Sequence, residues 1–537
     1  MKILKTRRGA IVAVLMASAL AITGCTSGGT SGGGDAGAAQ AKRPYVRAVN
    51  GDPMIGGLNS QLTNGTYPIL FSAQIFDSLI RQSAEGKLTA GLATSWKVSD
   101  DGLTLTLEIR KGVKWHDGKP FTAEDVKFNF DEIVPLQAYG AELAKRIGSV
   151  EITGKNTVVV HLSQPYGPLL AAVSAQFMLP KHLYVGTNYV TNKANENPIG
   201  TGPMMFDTYT PGAEITLKKN PNYWGGKVKV DRAIFPVMAD PNSRATALFA
   251  GEIDEATLDQ SQQARVSTDK NTELLSTGSV QYYERLTFNA KSTYLEDAGV
   301  RRALFSALDR HEFVKTALAG IGTPANGFFP KSLDWANNPD VNFDKDFPFD
   351  ADAINKTLDE AGFPRGSDGT RFTLKVLYIN TLTDVAAIVQ MAQSMLQKFG
   401  IKTQLIGVGG AVYSQKLYKE HNFDLAIVRA DIGPDPSLGL SPWFVCNKTN
   451  AISANPSGIC DPEIDAAAAV ALATTDQKKR AAAFKTMQAR AENLMYFAPI
   501  AWTNVGLNTI STSTWTGRTK SLPMTDRLPW LTMTPTK

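Results

Sequence analysis

One stretch of this sequence, residues 372–405, holds two strand patterns separated by a long helix pattern, and it constrains the fold most. The first strand pattern alternates apolar with polar side chains, the apolar ones being Phe372, Leu374, Val376 and Tyr378. The helix pattern puts apolar residues on one face and ends at Gly400, the face being Ile388, Met391, Met395 and Phe399. The second strand pattern is formed by Ile401, Thr403 and Leu405. A strand, a helix and a strand within about 35 residues predict a βαβ unit with at least one parallel pairing.

Similar patterns occur earlier in the chain. Alternation predicts a half-buried strand whose apolar residues are Leu103, Leu105, Leu107 and Ile109. Thr122, with Asp125 three residues later, predicts a helix start, and the helix face continues through Val126, Phe130 and Ile133. Further helices are predicted around residues 300–308 and between a cap at Asp350 and a stop at Gly362. The predicted fold class is α/β.

Length and charge limit the organisation and the partners. The chain has 537 residues, which is too long for one hydrophobic core and predicts two or three domains. Four of its basic residues lie within the first eight positions, and without them the formal charge falls from +5 to +1. A nearly neutral protein of this size lacks the basic surface expected of nucleic-acid binders, so we expect no nucleic-acid partner.

The N-terminus has the features of an export signal. A basic segment, Lys2 to Arg8, precedes an apolar run of 13 residues, Ala10 to Ile22, which is too short to span a bilayer and typical of a signal peptide. The sequence Ile22-Thr23-Gly24-Cys25 resembles a bacterial lipobox, which implies that Cys25 is acylated and becomes the mature N-terminus. Arg7-Arg8 suggests the twin-arginine route, but its flanking residues do not match, so general secretion is preferred.

A flexible tether is predicted after the lipobox. Residues 26–42 are mostly Gly, Ser, Thr and Ala and cannot repay the entropy of ordering. No later segment reaches 18 consecutive apolar residues. We therefore expect an extracytoplasmic protein that is held at the cell membrane by its N-terminal lipid.

After Cys25 the chain contains only Cys446 and Cys460. In an oxidising compartment they are expected to form a disulfide, which stabilises a loop of this length by roughly 3 kcal/mol. Two free thiols are the alternative. Neither cysteine has a second Cys or His at ligand spacing, so no metal site is predicted there.

The motifs of several enzyme classes are missing. The sequence contains neither a G-x-S-x-G elbow nor a phosphate-binding loop. His311-Glu312 begins like a zinc-protease helix, but Lys315 occupies the position of the second histidine. We expect no enzyme, metal or cofactor. An extracellular hydrolase with carboxylates from distant positions remains the alternative from a different class.

Residues 75–130 resemble the signature region of the solute-binding proteins of ABC importers, in the family that takes up peptides, dipeptides and nickel. The matching features are Gly91-Leu92-Ala93 with Trp96, Asp101-Gly102, Arg110-Lys111-Gly112, Trp115-His116-Asp117-Gly118 and Ala123-Glu124-Asp125-Val126. Later matches, in the expected order, are 198–203, 220–226, 251–254, Phe288-Asn289, Val300-Arg301, Asp309-Arg310 and 396–401. These residues are interpreted as fold markers, and His116 is expected to be structural.

The resemblance implies a type II periplasmic-binding-protein fold, with two α/β lobes around a ligand cleft and an additional lobe. The expected segments are a signal peptide at 1–24, a tether at 25–42, lobe I at 43–65, 198–290 and 504–537, lobe II at 66–197 and lobe III at 291–503. Such a protein closes on its ligand and docks on a membrane permease. It is expected to be a monomer.

The ligand loop departs from the family pattern. Peptide-binding relatives hold the α-ammonium of the ligand with an Asp in a loop that reads roughly G-W-x-x-D-x-x-D/E-P. Here Asp435-Pro436 fits the end of that loop, but Asp431 lies one residue too far away and the Gly-Trp pair is missing. Asp431 is either the ammonium partner or a turn-capping residue before Gly433-Pro434. Arg429 either pairs with Asp431 or offers a fork to a ligand carboxylate.

The remaining predicted site residues are Asp435, Asn289 and Trp443, and the aromatic ring of Trp443 either stacks on a ligand or packs in the core. The leading hypothesis is a lipid-anchored receptor that delivers di- or oligopeptides to an ABC permease. A carbohydrate or other small-solute receptor on the same fold is the second. Nickel is disfavoured because the five histidines are scattered.

Overall fold

The computed structural model of the chain describes residues 43–51, 58–59, 62, 66–83, 86–137, 139–275, 282–503, 507–518 and 528–536. The predicted signal peptide, the tether and Cys25 lie outside these residues. No helix among the described residues is long and apolar enough to cross a membrane.

The strands form several sheets of mixed direction. In chain order they are β1 Tyr45–Val46, β2 Ile80–Gln82, β3 Leu88–Ala90, β4 Ala93–Val98, β5 Thr104–Ile109, β6 Ile147–Gly154, β7 Thr157–Leu162, β8 Met204–Thr210, β9 Glu214–Lys219, β10 Arg232–Pro236, β11 Glu255–Leu258, β12 Thr272–Leu274, β13 Tyr282–Phe288, β14 Thr323–Pro324, β15 Phe372–Ile379, β16 Ile401–Val408, β17 Leu425–Asp431, β18 Phe497–Thr503, β19 Leu507–Ser511, β20 Trp515–Thr516 and β21 Thr534–Pro535.

The α-helices lie mainly between the strands. They are α1 Thr66–Ile75, α2 Ala123–Phe128, α3 Gly140–Ala144, α4 Leu169–Ser174, α5 Lys181–Tyr184, α6 Pro241–Phe249, α7 Gln263–Thr268, α8 Ala298–Ser306, α9 Arg310–Glu312, α10 Phe343–Asp346, α11 Ala351–Glu360, α12 Thr383–Gln397, α13 Gly410–Ser414, α14 Pro436–Gly439, α15 Pro462–Leu472 and α16 Gln477–Leu494. Shorter 3-10 turns and π-helical segments extend several of them, as in Asn129–Ile133 after α2.

The predicted βαβ unit is confirmed. Strands β15 and β16 pair in parallel from Phe372↔Ile401 to Ile379↔Val408, with α12 between them in the chain. The predicted strand at 103–109 is β5. The predicted helix start is also present, since the Thr122 N–H donates to Asp125 Oδ2 at 2.9 Å. The α/β class follows from these elements.

Separate hydrophobic cores divide the described chain into three bodies. The large lobe is the body whose core comes from residues 283–502, around the six-stranded sheet β14-β18-β13-β17-β15-β16. The signature lobe has its core in residues 79–178, around the sheet β4-β5-β7-β6. The base lobe draws its main core from distant parts of the chain, chiefly residues 45–76, 179–235 and 510–533. A smaller cluster from residues 245–266 is counted with it, because Glu255 of β11 forms a bridge to Arg47. The segment boundaries given above stay predictions.

The family motifs lie where the signature lobe meets the base lobe. Asp77 accepts hydrogen bonds from Arg81 at 2.7 Å and from the Trp224 indole at 2.9 Å. The guanidinium groups of Arg81 and Arg110 lie over the Trp224 ring, 4.8 and 4.4 Å from its centroid. These residues therefore join two lobes, as expected of fold markers.

His116 belongs to the same junction. The Gly200 N–H donates to its Nδ1 at 3.2 Å, so its Nε2 carries the proton and donates to the Gly202 carbonyl at 3.0 Å. Burial lowers the pKa of His116 to about 4, which keeps the ring neutral. Its contacts agree with the structural role expected from sequence.

Candidate ligand-binding site

The strand order of the large lobe creates a crevice at one edge of its sheet. Parallel strands β15 and β17 end at this edge, at Ile379 and Asp431. From β15 the chain continues to β16 on one side, whereas from β17 it continues through α14, α15 and α16 to β18 on the other side of β13. Where connections diverge in this way, the carboxyl ends of the strands leave room for a ligand. Both connections to the base-lobe strands leave from the same edge, after β18 and before β13.

Asp431 lies at the mouth of this crevice as the last residue of β17, opposite Tyr282 of β13. The Gly433 N–H donates to Asp431 Oδ1, and Gly433 has a φ of +69°, so the predicted turn is present. The second carboxylate oxygen has no hydrogen-bond or ion-pair partner among the described residues. The turn therefore uses one carboxylate oxygen of Asp431 and leaves the other available to a ligand.

Asp431 is an exposed residue, yet neighbouring protein atoms displace part of the water around its carboxylate. Desolvation raises the pKa of Asp431 to about 6, even though the Gly433 N–H stabilises the ionised form. A carboxylate that solvent reaches while protein atoms crowd it is accessible to a ligand.

Two tyrosines border Asp431 from different lobes. Tyr282 belongs to the large lobe, and Tyr139 precedes α3 of the signature lobe. Burial raises the pKa of both phenols, and the negative charge of Asp431 raises it further. Both hydroxyls therefore remain protonated at physiological pH, and the charge of Asp431 is felt across the space between the two lobes.

The large and signature lobes touch close to this point. Gln82 Nε2 donates to the Pro434 carbonyl at 3.1 Å, and the Gly167 N–H donates to the Leu472 carbonyl at 2.8 Å. The loop that follows Asp431 is therefore held by the signature lobe.

Arg429 does not pair with Asp431, which corrects one of the two expectations for it. Its Nε donates to Glu284 Oε1 at 3.3 Å, and its Nη2 pairs with Asp384 at the start of α12. Glu284 lies directly opposite Arg429 in the sheet, which places its carboxylate beside the guanidinium. The guanidinium is thus already shared by two carboxylates, and we no longer place it among the ligand contacts.

Three other predicted site residues have partners within the large lobe. Asp435 caps α14 by accepting from the Ser437 N–H at 2.8 Å, and it also accepts from Arg480 Nη2 at 2.5 Å. The side-chain amide of Asn289 donates to the Phe423 carbonyl at 2.8 Å. Trp443 is buried in the core of the large lobe, with the Arg285 guanidinium 3.2 Å from its ring centroid. These contacts show a structural role for all three residues, and their contact with a ligand stays a prediction.

Sequence inspection missed Tyr139, Tyr282, Glu284 and Asp384 as neighbours of the site. The strand register of β13 against β17 brings Tyr282 and Glu284 next to Asp431 and Arg429. A sequence signal existed only for Tyr282 and Glu284, which begin the strand that ends at the Phe288-Asn289 motif. Tyr139 belongs to another lobe, and no local sequence pattern predicts that it lies near Asp431.

Cys446 and Cys460 are placed together as expected. Their sulfur atoms lie at bonding distance, and their Cα atoms are 4.5 Å apart. The loop between them follows the Asp431–Asp435 segment in the chain. Among the described residues, no group of three or more His, Cys, Asp or Glu side chains could hold a metal ion.

A model of the family described as bacterial extracellular solute-binding proteins, family 5 (middle), matches residues 87–451. The glutathione-binding protein GsiB of Escherichia coli is 29% identical over 440 residues, covering 79% of this chain and 82% of that protein. The crystal structure of NikZ from Campylobacter jejuni in complex with Ni(L-His) superposes with a TM-score of 0.77 at 25% identity, covering 91% of this chain and 99% of that one. A dipeptide-binding protein from Pseudoalteromonas in complex with Met-Leu also has a TM-score of 0.77, at 23% identity, covering 92% and 100%.

These similarities settle fold and class. The structural neighbours confirm the multi-lobe type II fold, and the relatives are binding proteins, which confirms that the chain is not an enzyme and excludes the hydrolase alternative. The family works outside the cytoplasm. Because its model covers about two thirds of the sequence, the chain belongs to the family 5 bacterial extracellular solute-binding proteins, the substrate-binding proteins of ABC transporters.

Proposed function

We propose that this protein is a lipid-anchored receptor that binds di- or oligopeptides in the crevice and delivers them to an ABC permease. In this proposal Asp431 holds the α-ammonium group of the peptide. The observation that carries the proposal is the state of Asp431, a desolvated carboxylate with one oxygen unused and no cation within ion-pair distance among the described residues.

The energetic argument concerns an uncompensated charge. Removing a carboxylate from water is costly unless a cation or several hydrogen bonds replace the water. Asp431 has one such bond, from Gly433, so part of this cost is left for a ligand to relieve. An ammonium group supplies both the opposite charge and N–H donors, and charge-assisted hydrogen bonds are about twice as strong as neutral ones.

Tyr139 and Tyr282 fit the same ligand. Their phenols stay protonated, so neither tyrosine adds a negative charge that would compete with Asp431 for the ammonium group. Because they belong to different lobes, a ligand at Asp431 contacts both lobes and favours the closed arrangement.

Two of the ligands named for relatives suit an ammonium anchor. Glutathione and Met-Leu each carry a free α-ammonium group. Anchoring through acylated Cys25 and the tether at 26–42 would keep a monomeric receptor close to its permease.

Calorimetric titration of trialanine into the Asp431→Asn and Asp435→Asn variants tests the assignment. We expect Asp431→Asn to weaken binding at least about tenfold, roughly 1.4 kcal/mol, because a charge-assisted bond becomes a neutral one. Asp435→Asn alters the Arg480 pair and the α14 cap, so it should lower thermal stability more than affinity. Equal affinity of wild type and Asp431→Asn for trialanine would contradict the proposal. In that case titration with oligosaccharides examines the carbohydrate alternative.

A further inference from the structure

Four acids cluster near the crevice edge of the large lobe, and two of them, Glu284 and Asp384, are buried. Asp431 ends β17, Glu284 lies on β13, and Asp384 begins α12. Asp259 reaches this cluster from the base lobe, accepting from Thr383 Oγ1 at 3.4 Å. Among the described residues, Arg429 is the single cation within ion-pair distance of any of these four carboxylates.

Glu284 has a buried carboxylate oxygen that lacks a hydrogen-bond donor among the described residues. It is fully buried, and its Oε1 accepts from Arg429 Nε at 3.3 Å and from Thr503 Oγ1 at 3.4 Å. Its Oε2 is also buried, and no described residue donates to it. A buried carboxylate oxygen without a donor is costly, so positive charge nearby is favoured.

The positions of Glu284 and Asp431 are related by the sheet. Asp431 pairs with Tyr282 and Arg429 pairs with Glu284, so Glu284 and Asp431 are diagonal neighbours on one face. Diagonal neighbours in an antiparallel pair lie about 7–8 Å apart. The α- and ε-nitrogens of an extended lysine are separated by a similar distance, about 7 Å from standard bond lengths.

We propose that the site selects peptides whose N-terminal residue is basic, with the α-ammonium at Asp431 and the side-chain cation in the field of Glu284, Asp384 and Asp259. This inference rests on the proposed function and names its substrate class. Arg429 does not cancel the field, because Glu284 and Asp384 share its one positive charge. In a cleft of low dielectric such an excess favours a cationic ligand and disfavours an acidic one.

Three tripeptides that differ only in their first side chain test the proposal by calorimetry: Lys-Ala-Ala, norleucine-Ala-Ala and Glu-Ala-Ala. Norleucine keeps the length of lysine without its charge. We expect the lysine peptide to bind the wild type about fivefold or more tighter than the norleucine peptide, and the glutamate peptide to bind weakest. The lysine preference should shrink as salt is raised, because dissolved ions screen the charges.

Substitutions of single acids test which residues cause the preference for lysine. Asp384→Asn and Asp259→Asn should each reduce the ratio of lysine to norleucine affinity. Glu360→Gln is the matched control, because Glu360 is an exposed acid on α11 of the same lobe, paired with Lys356. If Asp384→Asn fails to fold, Asp259→Asn carries the test, because Asp259 has no ion-pair partner among the described residues.

Two outcomes separate this inference from the proposed function. Equal binding of the lysine and norleucine peptides, with acetylation of the N-terminus still harmful, overturns the basic-residue preference and leaves the ammonium anchor intact. Acetylation without effect on either peptide overturns the anchor itself. A lysine preference that persists in both Asp variants also contradicts the inference, because other residues would then bind the lysine ammonium group.

Discussion

Acidification from pH 7 to pH 5 should weaken peptide binding about tenfold through Asp431. With a pKa of about 6, this carboxyl is about nine-tenths ionised at pH 7 and about one-tenth ionised at pH 5. If only the ionised form holds the ammonium, the apparent affinity follows that fraction, and the loss is about 1.4 kcal/mol. The α-ammonium of a peptide stays protonated throughout this range, since its usual pKa is near 8.

Calorimetric titration of trialanine at pH 5, 6 and 7 measures this change. At pH 5, binding should also release about one proton per peptide, because the free carboxyl is protonated and the bound one is ionised. That release appears as a dependence of the observed enthalpy on the ionisation heat of the buffer. Asp431→Asn should bind more weakly at pH 7 and lose both the pH dependence and the proton release. A wild-type affinity that is flat between pH 5 and 7 would refute the reasoning.

Three further predictions concern stability and anchoring. Burial holds the pKa of His116 at about 4, below its usual 6.5, so the unfolded chain binds more protons at this residue between these values. His116 should therefore contribute a fall in stability of about 2.5 kcal/mol between pH 7 and 4.5. Urea unfolding at both pH values measures this fall, and a fall of equal size in His116→Asn would count against it. Denatured, unreduced protein should contain no free thiol, because Cys446 and Cys460 are joined; two titratable thiols would disprove the bridge. Cys25→Ser should move the folded protein from the membrane fraction to the soluble fraction, and a variant that stays with the membrane would reject acylation there.

The elements that sequence predicted well are those whose signal is local. The periodicities of residues 372–405 are visible within one window, and the structure forms β15, α12 and β16 from them. The cap at Asp350 is equally local, because the carboxylate accepts from the N–H groups of Asp352 and Ala353. Such features need no knowledge of what packs against them.

The binding site was harder to predict because its neighbours come from distant parts of the chain. Tyr139 and Asp431 are almost 300 positions apart, and only the meeting of two lobes brings them together. The partners of Arg429 depend on strand register, which no single strand reveals. Asp435 was expected beside Asp431 in the site, yet its place before Pro436 makes it the cap of α14. Proximity in sequence was therefore a poor guide to proximity in the crevice.

The ratio of the affinities of trialanine and N-acetyl-trialanine for the wild-type protein tests the central claim most directly. Acetylation removes the positive charge and leaves the rest of the peptide unchanged. If Asp431 holds the α-ammonium, the free peptide should bind the wild type at least about tenfold tighter, and Asp431→Asn should largely abolish that ratio. Equal affinity of the two peptides for the wild type would show that no carboxylate binds the α-ammonium group.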